Sequence, residues 1–127
     1  MSSSQAVRAI SGQARSAITI YRFVVRDAAS AQFDVVSGAQ GEADGVAMES
    51  QATVGGSFPV ALLDQGILKI ELGTTLSAGA VVASDASGKA IAAVSGAGNY
   101  RLGKILDGGA SGDIVRLAGL KELDQVT

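Results

Sequence analysis

The sequence predicts an all-β fold, a small β-barrel or β-sandwich whose short strands are joined by glycine-rich turns. Short segments rich in Val, Ile and Leu recur along the chain, and Ile67 to Leu72 alternates apolar and polar side chains with the period of a strand. Turn-forming segments that contain glycine separate these apolar segments at short intervals. With 127 residues and only 4% aromatic residues, the chain is predicted to form one domain with a thin aliphatic core.

Residues 1–16, MSSSQAVRAISGQARS, are predicted to form a flexible N-terminal arm, followed by a single β domain over residues 17–127. The arm has few apolar side chains, whereas ordering each residue costs about 1–2 kcal/mol in backbone entropy. A further surface has to offset that cost. We therefore expect the arm to become ordered on a partner or along a neighbouring subunit of its own oligomer.

The strongest strand signal lies in residues 17–25, AITIYRFVV, because β-branched and aromatic side chains occupy both faces. Such a strand has to be covered on both sides, either by the rest of the domain or by a neighbouring subunit. Together with the thin core, this strand predicts self-association. After a break at residues 27–32, Phe33 to Val36 forms a short strand, and a turn follows at residues 37–41.

Further strands are predicted at residues 44–49, 57–63, 67–72, 80–84, 89–94, 101–106 and 113–118. Pro59 lacks an N–H, which predicts that its strand lies at a sheet edge or beside a bulge. Residues 85–88 are predicted to form a hairpin turn in which Gly88 adopts a positive φ. Leu117 to Leu123 is predicted to add a short helical turn.

Residues 44–62 and 102–117 resemble each other, which indicates two related hairpins in one fold. Gly45 aligns with Gly103 and, after a deletion of two residues, Gly56 aligns with Gly112. Each segment combines a strand that starts at a glycine, a loop of small residues and a second apolar strand. Chance similarity between glycine- and alanine-rich segments is the alternative interpretation.

Charge is distributed unevenly along the chain. Residues 1–26 carry four arginines and no acidic residue, whereas residues 27–127 carry six basic and twelve acidic residues. The basic segment is expected either to steer a partner or simply to expose solvated arginines. The acidic remainder argues against nucleic acid as a partner. No apolar run approaches the ~18 residues of a membrane span, and no signal peptide is expected.

The sequence predicts no enzyme, no cofactor and no metal site. Without cysteine and histidine, the chain lacks thiolate nucleophiles, the usual general base and the commonest transition-metal ligand. Gly88-Lys89 does not complete a phosphate-binding loop, because Ala83 and Ala90 replace its first glycine and its magnesium ligand. An enzyme that uses only Asp and Glu is the remaining alternative of this class.

Several short motifs of small residues follow one another in a fixed order: Gly45-Val46-Ala47, Ala52-Thr53-Val54-Gly55-Gly56, Val60-Ala61-Leu62, Leu76-Ser77-Ala78-Gly79-Ala80-Val81-Val82, Ser84-Asp85-Ala86-Ser87-Gly88-Lys89-Ala90, Leu102-Gly103-Lys104-Ile105-Leu106 and Gly112-Asp113-Ile114-Val115-Arg116-Leu117. In this order the chain resembles the capsid decoration, or cement, proteins of tailed bacteriophages, over roughly residues 33–118. The resemblance implies a non-enzymatic virion protein, made in the host cytoplasm, that sits on the outer capsid surface, commonly as homotrimers, and clamps neighbouring capsomers. Its implied partners are the major capsid protein and further copies of itself.

The basic and apolar residues near the N-terminus are the candidate capsid or subunit contacts: Val7, Arg8, Ile10, Arg15, Tyr21, Arg22 and Phe23. No residue role is carried over from the resemblance, because the shared motifs shape turns. The rival function is a small ligand- or carbohydrate-binding β module. Such a module needs a concave pocket with aromatic and polar groups, which three Phe and two Tyr make difficult to build.

Overall fold

The computed structural model of the protein describes residues 9–63, 66–96 and 98–123. These residues form two antiparallel sheets of five strands each, which pack against each other as a β-sandwich. The predicted all-β fold is therefore confirmed. Among the described residues, no helix is long and apolar enough to cross a membrane.

The two sheets have the same strand order. The first contains β1 (Ala9–Gln13), β2 (Phe23–Arg26), β3 (Phe33–Val35), β4 (Gly45–Ala47) and β5 (Ser57–Leu62), in the order β1-β5-β4-β2-β3. The second contains β6 (Ile67–Glu71), β7 (Val81–Ser84), β8 (Ala90–Ala92), β9 (Tyr100–Ile105) and β10 (Ile114–Leu123), in the order β6-β10-β9-β7-β8. Each strand of the first half thus has a counterpart at the same place in the second sheet.

Isolated bridges outside the strands repeat in the same way, which confirms that the chain contains an internal duplication. Ala14 forms a parallel bridge with Phe33 in the first half, and Leu72 forms one with Ala90 in the second. Each bridge joins the end of the first strand of a sheet to its third strand, so each sheet curls until its two edges meet. The duplication extends over both halves, well beyond the two hairpins that the sequence indicated.

The sequence alignment of the two halves needs one correction. Gly45 and Gly103 occupy corresponding places, as predicted. The counterpart of Gly112 is Gly55 rather than Gly56, because Gly112 and Gly55 have φ angles of 92° and 84° at corresponding turns. The deletion is therefore one residue long. Adjacent glycines in a loop of small residues leave this register undefined in the sequence.

One face of the first sheet holds a core of its own, formed by Ala14, Ile18, Val24, Phe33, Ala47, Phe58 and Val60. Phe33 and Phe58 meet edge to face, with ring centroids 6.1 Å apart. Gly12 makes room for Phe33, since a Cβ at Gly12 would lie 2.8 Å from Cδ1 of Phe33. In the second half, Ile70 and Ala90 occupy the places of Gly12 and Phe33. The large and the small residue have exchanged positions between the halves.

The other face of the first sheet packs against the second half and forms one larger core with it. The first half contributes Phe23, Val36, Ala43, Val46, Ala61 and Leu63. Leu63 and Leu68, each 2% exposed, lie on either side of this junction next to Gly119. A Cβ at Gly119 would collide with the carbonyl oxygen of Leu63, so only glycine fits there.

Gln40 connects the two halves through four hydrogen bonds. Its amide donates to the Ser84 carbonyl at 2.7 Å, and its carbonyl accepts from the Tyr100 amide at 3.0 Å. Its side chain donates to the Ala92 carbonyl at 3.2 Å and accepts from the Val94 amide at 2.9 Å. The loop before β4 is thereby fixed against three segments of the second sheet.

The strand predicted over residues 17–25 begins only at Phe23. Ile18 makes an isolated bridge, and Tyr21 has a φ of 62°, so the chain turns before it enters the sheet. Both faces of β2 are covered within the chain, because Phe23 packs into the junction and Val24 into the core of the first sheet. No neighbouring subunit is needed to cover this strand, so its apolar faces do not support self-association.

The arm predicted over residues 1–16 is wrong for its described part. Ala9–Gln13 forms β1, which pairs with β5 along its whole length, and Ala14 is fully buried. The segment has few apolar side chains to offset the entropic cost of ordering its backbone. Backbone hydrogen bonds to β5 and the burial of Ala14 offset that cost instead. Val7, Arg8 and the rest of residues 1–8 lie outside the described residues.

Two local predictions are wrong. Pro59 lies in β5, which is second from the sheet edge; its missing N–H is harmless because β4 ends at Ala47, opposite this point. Residues 117–123 continue β10 rather than form a helical turn. The other predicted strands are confirmed with displaced ends, and the hairpin turn at Gly88 has the expected positive φ of 82°.

In the first half, Gly12→Ile and Phe33→Ala together reproduce the arrangement of the second half. We expect the double variant to lose less stability than the sum of the losses of the two single variants. Gly12→Ile should destabilise the protein by roughly 1–3 kcal/mol through overpacking against Phe33. Phe33→Ala should cost about 3–5 kcal/mol through the cavity that it leaves. In the double variant, the new isoleucine fills part of that cavity, so urea unfolding should show a loss at least ~1 kcal/mol smaller than the sum. Additive losses would contradict this account of the packing.

Candidate functional site

Tyr21 has an unusual backbone conformation at the junction. Its φ of 62° is uncommon for a large side chain, and the corresponding residue of the second half is Gly79, with a φ of 90°. The Tyr21 amide donates to the Ala47 carbonyl at 2.8 Å, and its carbonyl accepts from the Glu71 amide at 3.0 Å. The backbone here joins β4 of one half to β6 of the other. Glycine would adopt this conformation without strain, which draws attention to the tyrosine side chain.

Two depressions meet at the Tyr21 side chain. The first has a volume of about 250 Å³ and is lined by Tyr21, Val46, Ala47, Met48, Ala61, Ile67, Leu68 and Lys69. The second, of about 320 Å³, is lined by Tyr21, Lys69, Asp107, Ile114, Val115 and Arg116. Tyr21 and Lys69 line both, so the two depressions form one continuous surface that spans both halves of the chain.

Large apolar side chains are exposed along this surface. Met48, Ile67 and Ile114 are 39%, 46% and 43% exposed. We use the term Tyr21 surface for the set formed by Tyr21, Met48, Ile67, Lys69, Asp107, Ile114 and Arg116. Clustered exposed apolar side chains with charged neighbours are typical of protein-binding surfaces rather than of inert ones.

Two of the charged side chains on this surface, Asp107 and Arg116, form an ion pair. Lys69 lies directly opposite Arg116 on the neighbouring strand, and like charges in that arrangement repel each other. Asp107 relieves the repulsion, because its two carboxylate oxygens each accept a hydrogen bond from the Arg116 guanidinium at 2.9 Å. Hydrogen bonds from the guanidinium, and next from the Arg116 amide, lower the pKa of Asp107 from 3.8 to about 2.

Asp107 also accepts a hydrogen bond from a backbone amide that would otherwise be unpaired. Arg116 is the counterpart of Pro59, and its amide, unlike that of proline, needs an acceptor at the point where β9 has ended. The Asp107 carboxylate accepts that amide hydrogen at 3.2 Å. One half therefore removes the donor with a proline, and the other half supplies an acceptor with an aspartate.

The edge of β6 faces the first depression with free peptide groups. The Leu72 amide donates toward β10 at 2.9 Å, and alternate residues of an antiparallel strand point the same way. The peptide groups of Ile67 and Lys69 therefore point away from β10, as does the amide of Glu71, which reaches Tyr21. Among the described residues, the amides of Ile67 and Lys69 have no hydrogen-bond partner. An extended peptide segment could pair with this edge.

Apolar and charged side chains line the Tyr21 surface. In the described ranges, no three His, Cys, Asp or Glu side chains lie close enough together to hold a metal ion. Within the same ranges, every buried side-chain nitrogen or oxygen atom has a hydrogen-bond partner in the protein itself. Apolar contact and strand pairing are the interactions that this surface can make.

The structure separates the residues that were predicted as contacts. Ile10 is 40% exposed on the edge strand β1, and Arg15 is exposed and bound to Asp34 at 2.9 Å. Tyr21 lies at the centre of the Tyr21 surface. Phe23 is fully buried and therefore wrong as a contact residue.

Arg22 is used inside the fold, and its role as a contact residue stays a prediction. Its guanidinium donates to Glu71 at 3.1 Å and to the Ser87 carbonyl at 3.0 Å, and only 19% of its side chain is exposed. Lys89 lies 3.5 Å from the same Glu71 carboxylate. Two of the arginines near the N-terminus, Arg15 and Arg22, therefore form ion pairs within the molecule.

Sequence reasoning missed most of the Tyr21 surface, namely Met48, Ile67, Lys69, Asp107, Ile114 and Arg116. The available signal was strand periodicity, since Ile67 lies on the same strand face as Lys69 although it is apolar. That pattern cannot show that Ile67 and Met48 line the same depression, because Ile67 begins β6 of the second sheet and Met48 follows β4 of the first.

Comparison with known proteins finds similarity at the level of the fold. No known protein family matches the sequence, and no curated protein matches it either. Among solved structures, the N base of the head fiber gp8.5 of bacteriophage phi29 has a similar structure, with a TM-score of 0.71 and 14% sequence identity. The match covers 96% of this chain and 100% of that chain. At this identity the similarity establishes a shared fold.

Asp107→Asn should reduce stability at neutral pH and make stability less sensitive to acid. Because the pKa of Asp107 is lowered from 3.8 to about 2 on folding, its contribution is fully present above about pH 4 and is lost as the pH falls to about 2. Urea titrations between about pH 7 and pH 2 should therefore show a difference between wild type and variant that disappears at the acid end.

The matched control is the same substitution in an Arg116→Ala background. Asp107→Asn should have a smaller effect there, because the guanidinium is the largest cause of the lowered pKa. An effect of equal size in both backgrounds would show that the pair with Arg116 is not responsible.

Proposed function

We propose that the chain is a non-enzymatic structural protein of a phage particle, which decorates the outer capsid surface and stabilises it by clamping neighbouring capsomers. The observation that carries the proposal is the shared fold with the phi29 head fiber N base, which extends over 96% of this chain and all of that one. The motifs that resemble capsid decoration proteins support the same assignment from the sequence. The proposed location is the virion, after synthesis in the host cytoplasm.

The proposed partner is the major capsid protein, and the proposed attachment site is the Tyr21 surface. Its exposed side chains Met48, Ile67 and Ile114 offer apolar contact, and the free edge of β6 offers backbone hydrogen bonds. A clamp needs no general base, nucleophile or metal, so the absence of cysteine and histidine is compatible with this function. Self-association as a homotrimer on the particle belongs to the same proposal; nucleic acid and membrane do not.

A ligand- or carbohydrate-binding module is the alternative function. The two depressions of the Tyr21 surface, at about 250 and 320 Å³, lie below and at the lower end of the ~300–1,000 Å³ that is usual for sites of drug-sized ligands. Tyr21 is the one aromatic residue that lines them, so a sugar ring would find little to stack on. The exposed apolar side chains around them favour a protein partner.

The test is binding to capsids that lack the protein, prepared from the phage that encodes it. Met48→Glu and Ile114→Glu each place a charge in the proposed contact and should weaken binding by about 30-fold, which corresponds to a loss of roughly 2 kcal/mol at a central interface residue. Occupancy is measured by co-sedimentation and electron microscopy, and stabilisation by the temperature at which capsids lose their contents.

Val94→Glu is the matched control, because Val94 is 58% exposed and does not line either depression of the Tyr21 surface. It should bind like the wild type, and circular dichroism should show that all three variants are folded. Normal occupancy of both Tyr21-surface variants would exclude this surface as the attachment site. Failure of the wild type to bind or protect the capsids would exclude the proposed function itself.

A further inference from the structure

The contact between the two halves joins unlike surfaces. The first half contributes what we call the forward face, which includes Phe23, Val46 and Leu63. The second half contributes the rear face, which includes Leu68 and the carbonyl of Gly88. Phe23 binds that carbonyl through its amide at 2.8 Å. Such a contact is heterologous, so each half still possesses the face that the other half uses.

The second half carries an unused forward face. Its residues Val81, Lys104 and Leu120 occupy the places of Phe23, Val46 and Leu63, as the strand registers show: Val81 pairs with Lys104 as Phe23 pairs with Val46. Leu120 follows Gly119 in β10 as Leu63 follows the corresponding Leu62 after β5. Phe23 and Leu63 are 0% and 2% exposed, whereas Val81 and Leu120 are each 44% exposed.

The first half carries an unused rear face. Ile10 pairs with Val60 in β1 as Leu68 pairs with Leu117 in β6, so Ile10 is the counterpart of Leu68. Leu68 is 2% exposed and Ile10 is 40% exposed. Three of the exposed large apolar side chains of the molecule are therefore copies of residues that are buried at the internal junction.

Backbone groups that are hydrogen-bonded at the internal junction also have unpaired counterparts at the unused faces. The Glu71 amide binds the Tyr21 carbonyl across the internal junction. Their counterparts are the Gln13 amide, which points away from β5, and the Gly79 carbonyl. Within the described part of the chain, neither of these two groups has a hydrogen-bond partner.

We propose that the second half of one copy binds the first half of the next copy as the two halves bind within one chain. Leu120 and Val81 of one copy then pack near Ile10 of the next, and the carbonyl of Gly79 accepts from the amide of Gln13. The partner is a second copy of this chain, because the matching rear face is present on the chain itself. The contact is less apolar than the internal junction, since Lys104 stands in the place of Val46, and is correspondingly weaker.

Heterologous contacts of this kind either close into a ring or continue as a filament. If the ring contains three copies, it is a ring of six similar β units with alternating internal and intermolecular junctions. The number of three copies rests on the proposed function, whereas the contact itself does not.

The contact can be tested with single cysteines, because the chain contains no cysteine of its own. Ile10→Cys and Leu120→Cys variants are mixed and treated with a short bismaleimide reagent. The mixture should give a cross-linked dimer of unlike chains, with a yield at least about ten-fold above that of either variant alone, since a formed contact raises the effective concentration of the two thiols. Mass spectrometry identifies the linked residues.

The matched control pairs Ile10→Cys with Val54→Cys, because Val54 is 66% exposed and has no place in the forward face. No excess of the Ile10–Leu120 product over this control would overturn the proposal, and so would an equal yield from Leu120→Cys alone, which indicates a two-fold contact. In a variant that carries both cysteines, cross-linking that ends at three chains supports the closed ring. Longer products support the contact and overturn the ring.

Capsid binding is measured separately, so the two proposals fail in different ways. Loss of the Ile10–Leu120 product with intact capsid binding overturns only the contact between copies. The product in a protein that does not bind capsids overturns only the proposed function.

Discussion

The apolar junction between the two five-stranded sheets is the contact on which the rest of the structure depends. Only the first sheet has a core of its own, and the second shares its core with the junction, so burial is complete only when both halves are present. Leu63 and Leu68 place the two halves close together, because Gly119 leaves room for the Leu63 carbonyl. Gln40 then fixes their relative orientation with four hydrogen bonds to three segments of the second sheet. The junction also uses the positive-φ turn at Tyr21, whose carbonyl accepts a hydrogen bond from the Glu71 amide of β6.

The two halves show which features the backbone requires and which it leaves free. Gly45 and Gly103 both lie where a Cβ would collide with the carbonyl of the neighbouring strand, so glycine is retained at both. The positions of large and small core residues can change: Gly12 and Phe33 of the first half correspond to Ile70 and Ala90 of the second. The way in which an unpaired backbone amide is avoided also differs between the halves. Pro59 has no amide hydrogen, whereas the amide of the corresponding Arg116 donates to the Asp107 carboxylate. These differences let two halves with one topology present unlike surfaces.

Strand periodicity and glycine-rich turns predicted most of the fold, because these signals act over a few residues. Long-range constraints defeated the local signals elsewhere. The segment 17–25 has strong strand propensity, yet the chain turns at Tyr21, as it does at the corresponding Gly79 of the second half. Ala9–Gln13 looks like an arm because its pairing with β5 depends on backbone groups that no side-chain pattern reveals. The burial of Phe23 was not predictable from the sequence, since basic and aromatic residues next to each other do not indicate whether their partners are internal.

The similarity to the phi29 head fiber N base, at 14% identity, becomes understandable from the duplication within this chain. Asp27 and Asp85, at the same turn in the two halves, both accept a backbone amide through their carboxylates, at 2.9 and 2.8 Å. Such turn residues and the glycines at close approaches fix the topology, whereas the core accepts any filling of suitable volume. A fold that tolerates this much change between its own halves also tolerates it between proteins. Shared topology therefore carries information about architecture, and the function has to be sought in surfaces such as that around Tyr21, where the halves differ.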